Sequence, residues 1–407
     1  MSAVASQPAV YLDYAATAPL CEEAARAMAP YFTFDPTGIG VNANANSLYN
    51  AGRAAFSALE EARKTIARCV GAKPHEIIFT SGATEADNAA VFGMVSAEVQ
   101  RRRRAGSGNF TPRFITSSFE HHAILSPAKR LKQTGVEVVY LKPNRAGFIE
   151  PRALAEVLNE RTVLVSIQLA NSEIGAIQPV DTLARMTHEA GALFHTDATQ
   201  ALGKVPLDFH ALGVDAASVS AHKIGGPKGV GALYLRERTP FETQIMGGGQ
   251  EAHRRSGTQN VPGVTGFAAA LAAAVELQPH ETVRLTALRD LVYAQLLAMP
   301  QVIPSVNVPA GSSDYLPNIV HVMVRGFESE TLVLRLDNAG YCVSGGSACS
   351  AGSLDPSHVL TSLGIERDRA QGALRISMGR YTTESDIRGF LDACAKIIQP
   401  QRKTAQS

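Results

Sequence analysis

Two spacings of apolar residues run through this chain and predict how it folds. Between residues 76 and 235, short apolar runs recur at 76–80, 113–116, 136–141, 163–169, 192–195, 216–219 and 230–235. Their lengths and the turn residues that bound them are those of buried strands. Most of the intervening stretches carry apolar residues three or four apart, which predicts helices. One grows out of the turn at 81–88 and reaches about 104, and others lie at 127–134, 151–158 and 182–190. Strand and helix in alternation imply an α/β class with a mostly parallel sheet covered on both faces. Ligands in such sheets bind beyond the carboxyl ends of the strands.

Before this region the pattern predicts an irregular arm over 1–20 with one extended piece at 10–14, then a helix at 22–31. A Gly/Asn-rich loop at 37–50 has a functional composition, and a helix at 54–70 stops at Gly71. The spacing changes at 263–277, an Ala-rich helix expected to lead into a second domain. Strands at 318–324, 341–344 and 375–378 and helices at 329–338 and 384–398 follow, with a loop carrying Cys349 between them.

Composition changes this picture little. The chain has 407 residues, room for two or three domains, and a formal net charge of +1, which points to neither nucleic acid nor an acidic surface. The run 101–104 is the one charge block, and it reads as a solvated helix C-terminus. Five scattered cysteines without CxxC spacing argue against a disulfide framework or a zinc site. No leader pattern and no apolar run of bilayer length stand out, so a cytoplasmic, membrane-independent protein is expected.

The candidate chemistry gathers at strand ends. Lys223 follows the run 216–219 between small residues, where it is either a desolvated amine able to form a Schiff base or a phosphate-binding turn lysine. Ser81-Gly82-Ala83-Thr84 opens a helix after a strand, as an anion cradle or an ordinary cap. Asp197 ends a strand and Gln200 follows it; the carboxylate could pair with a protonated ring nitrogen or cap a helix. His121 follows another strand end. Together these are the parts of a pyridoxal phosphate site: a lysine, a ring-nitrogen partner and a phosphate cradle.

The chain resembles the cysteine desulfurases of the class V aminotransferase group, fold-type I pyridoxal phosphate enzymes, in their NifS-like and IscS-like branch. The resemblance rests on segments in family order: Tyr11-Leu12-Asp13-Tyr14-Ala15-Ala16-Thr17, Phe79-Thr80-Ser81-Gly82-Ala83-Thr84-Glu85, Glu120-His121, Asn171-Ser172-Glu173-Ile174-Gly175 and His195-Thr196-Asp197-Ala198-Thr199-Gln200. Ser220-Ala221-His222-Lys223, Gly247-Gly248-Gly249-Gln250-Glu251, Arg255-Ser256-Gly257-Thr258 and Ser344-Gly345-Gly346-Ser347-Ala348-Cys349-Ser350 complete them.

The resemblance implies a large domain over 21–275 with a mostly parallel seven-stranded sheet. It also implies a smaller α+β domain over 276–407, joined by the arm 1–20. Lys223 would hold pyridoxal phosphate; Ala83, Thr84, Ser220 and His222 would bind its phosphate; Asp197 would pair with the ring nitrogen; Gln200 would bind the ring oxygen; His121 would stack on the ring. Thr258 would reach the phosphate of a second subunit, implying a homodimer. Arg375 and Asn44 would hold the substrate, L-cysteine, and Cys349 would accept its sulfur as a persulfide. A sulfur acceptor or iron–sulfur scaffold protein would be the partner. The chain departs from the family at Ser172, which stands where the cofactor-contacting asparagine is usual, and in the loop Asn44-Ala45-Asn46-Ser47-Leu48-Tyr49. A selenocysteine lyase or another class V aminotransferase is the alternative; Cys349 argues for sulfur transfer, since transamination needs no such thiol.

Overall fold

The computed structural model describes residues 9–32, 41–108, 110–346 and 356–398. The chain divides into two compact units. One comprises Thr17–Asn171 and Ala176–His280; the other takes the residues up to Ala16, the tetrapeptide Ser172–Gly175 and everything from Glu281 onward.

In chain order, β1 (Val10–Tyr11) belongs to the smaller unit, and α1 (Glu22–Met28) and α2 (Asn50–Cys69) open the larger one. The larger unit continues with β2 (Ile77–Thr80), α3 (Ala83–Arg102), β3 (Arg113–Ser117), α4 (His122–Gln133), β4 (Glu137–Leu141), α5 (Pro151–Ala155) and β5 (Thr162–Ser166). It closes with α6 (Val180–Glu189), β6 (Leu193–Asp197), β7 (Ala216–Ser220) and β8 (Gly231–Leu235). Its seven strands form one sheet in the order β2-β8-β7-β6-β5-β3-β4. Only β8 runs against its neighbours, so the carboxyl ends of the other six share one edge. Strands β5 and β7 are buried at every position, as a sheet covered on both faces requires. Helix α6 buries Val180, Leu183, Ala184 and Thr187, a stripe with helical spacing.

Helix α4 starts five residues earlier than its proline suggests. The His121 side chain caps it, Nδ1 accepting from the Ala123 N–H at 3.1 Å, and Pro127 lies inside the helix. This cap fixes where His121 stands.

The expected linking helix 263–277 is part of α7 (Val261–Leu297), which runs through Pro279. Leu285, Leu288, Val292 and Leu296 keep the helical spacing going and bury themselves in the smaller unit's core. Contrary to the sequence expectation, α7 is long and apolar enough to cross a membrane by length and composition. Its residues Val264, Phe267, Ala270 and Leu271 are buried within the protein, as are those four leucine and valine positions.

The smaller unit holds an antiparallel sheet β12-β10-β9, from β9 (Val302–Pro304), β10 (Ile319–Val324) and β12 (Ala373–Ser377). Strand β9 had no clear sequence signal, being three residues long with a terminal proline. Strand β11 (Tyr341–Cys342) pairs in parallel with β1. The helices are α8 (Ser329–Asn338), α9 (His358–Ser362), α10 (Arg367–Ala370) and α11 (Glu384–Ile398). Phe390, Leu391, Cys394 and Ile398 of α11 pack against Val320, Val322, Leu374 and Ile376 of the sheet.

Candidate active site

Within the larger unit, the cofactor-side residues expected from the sequence collect at the carboxyl edge of the sheet. Gly231, the first residue of β8, faces Thr80 of β2 on one side and Ser220 of β7 on the other. A Cβ on Gly231 would lie 2.6 Å from the Val219 carbonyl and 2.7 Å from Gly82 Cα, so the turn into α3 crosses directly over this row. Gly82 has φ +152°, and a Cβ there would point to within 3.8 Å of Ser220 Oγ. A small, hydroxyl-lined space thus lies before the N-terminus of the twenty-residue α3, where Ala83 and Thr84 are the first two residues. Unmet N–H groups and the helix dipole favour an anion there.

Ser220 leads into a single 3₁₀ turn, Ala221–Lys223, that places His222 and Lys223, both half-buried, beyond β7. His222 Nδ1 is 3.1 Å from Thr17 Oγ1. Burial, followed by the nearby Lys223, Lys228 and Lys204 charges, pulls the His222 ring down to about 4, so it is neutral at physiological pH. Thr17 was present in the family-like N-terminal segment, but nothing in its spacing marked it as a partner of His222.

On the neighbouring strand, Asp197 is buried at the end of β6 and opposite Ser218. Its Oδ1 accepts from the Thr199 N–H at 2.9 Å. Thr199 Oγ1 is itself buried and has no hydrogen-bond partner among the described residues. Gln200 accepts from Lys204 Nζ at its side-chain oxygen, 3.1 Å, and at its carbonyl, 3.0 Å, which fixes the orientation of the amide.

Near Asp197 lie two further carboxyls to which the sequence reading gave no role. Burial, reinforced by the Asp197 charge, pushes Asp87 well above the usual carboxylate range. Burial raises Glu120 to about 8, with Asp197 adding to the effect. Their helix and turn positions resembled ordinary polar ones; only the packed sheet reveals them as interior. Glu120 accepts from the Gln168 N–H at 3.0 Å and from Ser117 Oγ, which braces the turn bearing His121. His195 stands between Ser166 Oγ and Ser218 Oγ, each 2.9 Å away, and burial lowers it to about 3. A positive charge placed beside these carboxyls would favour their ionised forms and be stabilised by them in return. Among the described residues no cluster of three or more His, Cys, Asp or Glu is placed to hold a metal.

Asn44 and Thr258 also belong to the larger unit and are exposed. Asn44 Oδ1 accepts from the Asn46 N–H at 2.9 Å, and Asn46 Nδ2 donates to Gln259 Oε1 at 3.0 Å, so the Asn44 loop meets the segment holding Thr258. Arg255 ties that segment to α3 through Glu85 at 2.9 Å. Glu251, from the glycine-rich motif, is a buried brace: Arg63 donates to it at 2.6 Å and the Phe79 N–H at 3.0 Å.

Ser172 and Arg375 belong to the smaller unit. Arg375, 2% exposed, donates Nη2 to Asp13 Oδ1 at 2.8 Å and Nη1 to the Ser172 carbonyl at 3.0 Å. Its Nε–H is buried and meets no partner among the described residues. Asp13 was visible in the sequence, but a pair 362 residues apart carries no local signal. Cys349 lies outside the described residues.

Pyridoxal phosphate fits the larger unit's residues. Asp197 offers a carboxylate in an acidic interior for a protonated ring nitrogen, and Thr199 Oγ1 is an unanswered polar atom beside it. The space that Gly82 leaves open before α3 suits the phosphate, and Lys223 follows Ser220 by one turn.

Comparison with known proteins agrees. The chain matches the Aminotransferase class-V family over residues 10–390. It is 42% identical to a cysteine desulfurase IscS of Dictyoglomus turgidum over 393 residues, which covers 97% of this chain and 95% of that one. A solved NifS-like protein superposes with a TM-score of 0.85 at 34% identity, covering 96% of this chain and 99% of that one. A structure of SspA in complex with cysteine has a TM-score of 0.75 at 30% identity, covering 92% and 100% respectively. The chain therefore belongs to the class V aminotransferase family, in its cysteine desulfurase branch, and is a pyridoxal-phosphate-dependent enzyme.

Proposed function

We propose that this desulfurase takes sulfur from L-cysteine onto Cys349, leaving L-alanine, and passes the persulfide to an acceptor protein that serves iron–sulfur cluster assembly or another sulfur-transfer route. The observation that carries the reading is the Lys223–Asp197–anion cradle on one sheet edge, joined to near-full-length similarity to cysteine desulfurases. The cysteine bound in the SspA structure supports the substrate.

When bound, pyridoxal phosphate supplies an electron sink for the carbon next to the amino group. Asp197 would hold positive charge on the ring nitrogen, and Gln200 would donate to the ring oxygen. His121, fixed by its cap, would face the ring, and Ala83, Thr84, Ser220 and the neutral His222 would receive the phosphate. Lys223 Nζ would hold the cofactor and, as a free amine, would take the α-proton. Ser172 has a shorter reach than asparagine, so its part in cofactor binding is smaller. The Cys349 thiolate attacks the substrate sulfur: an S–S bond forms, the C–S bond breaks, and a proton replaces sulfur on the β-carbon. We further propose that the enzyme works in the cytoplasm as a homodimer.

Arg375 is assigned to the substrate carboxylate, with Asn44 assisting. Asp13 and the Ser172 carbonyl hold the guanidinium in place, and a bidentate pair orients the amino acid for proton removal. Wild-type protein is expected to release alanine from L-cysteine, and Arg375→Ala to lose about 30-fold or more in kcat/KM. Steady-state kinetics check this; a variant with lower thermal stability but unchanged kcat/KM assigns Arg375 to the fold alone.

The homodimer has its own test. If Thr258 serves the neighbouring subunit's phosphate, mixing inactive Lys223→Ala with Thr258→Ala subunits restores part of the activity. In each mixed dimer one composite site carries both native residues. A mixture that demonstrably exchanges subunits and gains nothing removes Thr258 from the shared site.

A further inference from the structure

The tetrapeptide Ser172–Gly175 comes from the middle of the chain yet packs in the smaller unit. Its carboxyl group, Glu173, has a side chain only 1% exposed. An acid in such a place costs desolvation free energy, so its contacts define its use. The buried His321 ring stands 4.0 Å from Oε2, and two further contacts lie on the flanks of residues 347–355, which contain Cys349. On the far flank Ser357 Oγ donates to Glu173 Oε2 at 2.6 Å. On the near flank, a Cβ at Gly346 would lie 3.0 Å from Oε2 and 3.4 Å from Cδ, so backbone rests against the carboxyl. Gly346 has φ +135°, a conformation that itself selects glycine.

The same tetrapeptide also seats Arg375. The Ser172 carbonyl accepts from Nη1, while Ser344, two residues before Gly346, exchanges two backbone hydrogen bonds with Arg375 at 3.2 and 2.7 Å. Ser344 Oγ donates to the Gly346 carbonyl at 3.1 Å. Burial raises the Glu173 carboxyl, while Ser357 and the Arg375 charge oppose that shift.

We propose that Glu173 is a positioning residue for sulfur transfer: it holds the far flank of the Cys349-bearing segment through Ser357, packs against the near flank at Gly346, and so keeps both in register with Arg375. Anchors held fixed near a reacting group lower the cost of reaching a productive approach to the substrate. The inference rests on the desulfurase reading, and its test separates the two.

Four variants decide it: Glu173→Ala, Glu173→Gln, Ser357→Gly and, as control, Cys349→Ser. Ser357 also caps α9 through the Val359 N–H at 3.1 Å, and glycine preserves most of that cap while removing the donor. Three readouts are needed: the cofactor's absorbance change on adding L-cysteine, the rate of persulfide formation on Cys349 by mass, and thermolysin cleavage within 347–355 in cofactor-free protein. Glu173→Ala and Ser357→Gly are expected to keep the absorbance change but form persulfide about tenfold slower. Cleavage in both should be about threefold faster. Glu173→Gln, which still accepts from Ser357, should stay within about twofold of wild type in all three.

Unchanged persulfide and cleavage rates in Ser357→Gly overturn the proposal, even if Glu173→Ala fails to fold. Loss of the absorbance change along with persulfide also overturns it, because that marks general damage to the site. Alanine production by Cys349→Ser would instead sink the desulfurase reading itself.

Discussion

Cys349→Ser is expected to stop alanine formation from L-cysteine, with turnover falling about 10²-fold or more, while folding and cofactor binding persist. Serine oxygen cannot accept sulfur as a persulfide, so the step that breaks the C–S bond loses its nucleophile. The substrate should still bind, and the cofactor's absorbance should still respond to cysteine. Cys21 and Cys394 are buried, and burial pushes Cys394 up to about 12, so neither serves as a replacement thiolate. Burial also raises Cys69 and Cys342. Changing any of these four singly should spare turnover. The measurement is alanine release alongside mass detection of one added sulfur on the Cys349 peptide. Wild-type alanine production by Cys349→Ser would overturn the mechanism.

Lys223→Ala is expected to lose about 10³-fold or more in activity and to release pyridoxal phosphate readily on dialysis. In the proposed mechanism this residue provides both the covalent link and the base, so one substitution would remove two functions. Borohydride reduction of the wild type should fix a pyridoxyl group on the Lys223 peptide and nowhere else. An adduct on Lys204 or Lys228, the lysines nearest His222, would move the assignment. Retention of the phosphate cradle makes a further point: Lys223→Ala should still bind the cofactor weakly, since Ser220, Gly82 and the start of α3 do not depend on the amine.

The α/β class, the carboxyl-edge location of the site and most strands were legible in the chain, because burial on both sheet faces leaves continuous apolar runs. The lysine, the cradle turn and Asp197 were legible for a related reason: each directly follows such a run. Short-range signals set two helices too short, at 127–134 and 263–277. Pro127 and Pro279 both lie inside helices, since a capping histidine and the packing of Leu285, Leu288, Val292 and Leu296 outweigh one lost backbone hydrogen bond.

What the sequence by itself determined was therefore the fold class, the family and the sheet edge at which the larger unit's candidate groups collect. Only the tertiary structure decided which of the remaining polar residues support them. Asp13 meets Arg375 across 362 positions, and Thr17 meets His222 across 205. Asp87, Glu120 and Glu173 become interior acids with raised proton affinity. The reason is physical: periodicity reports which face of an element is buried, whereas the partner and solvation of one charged group depend on chain segments that folding alone brings together.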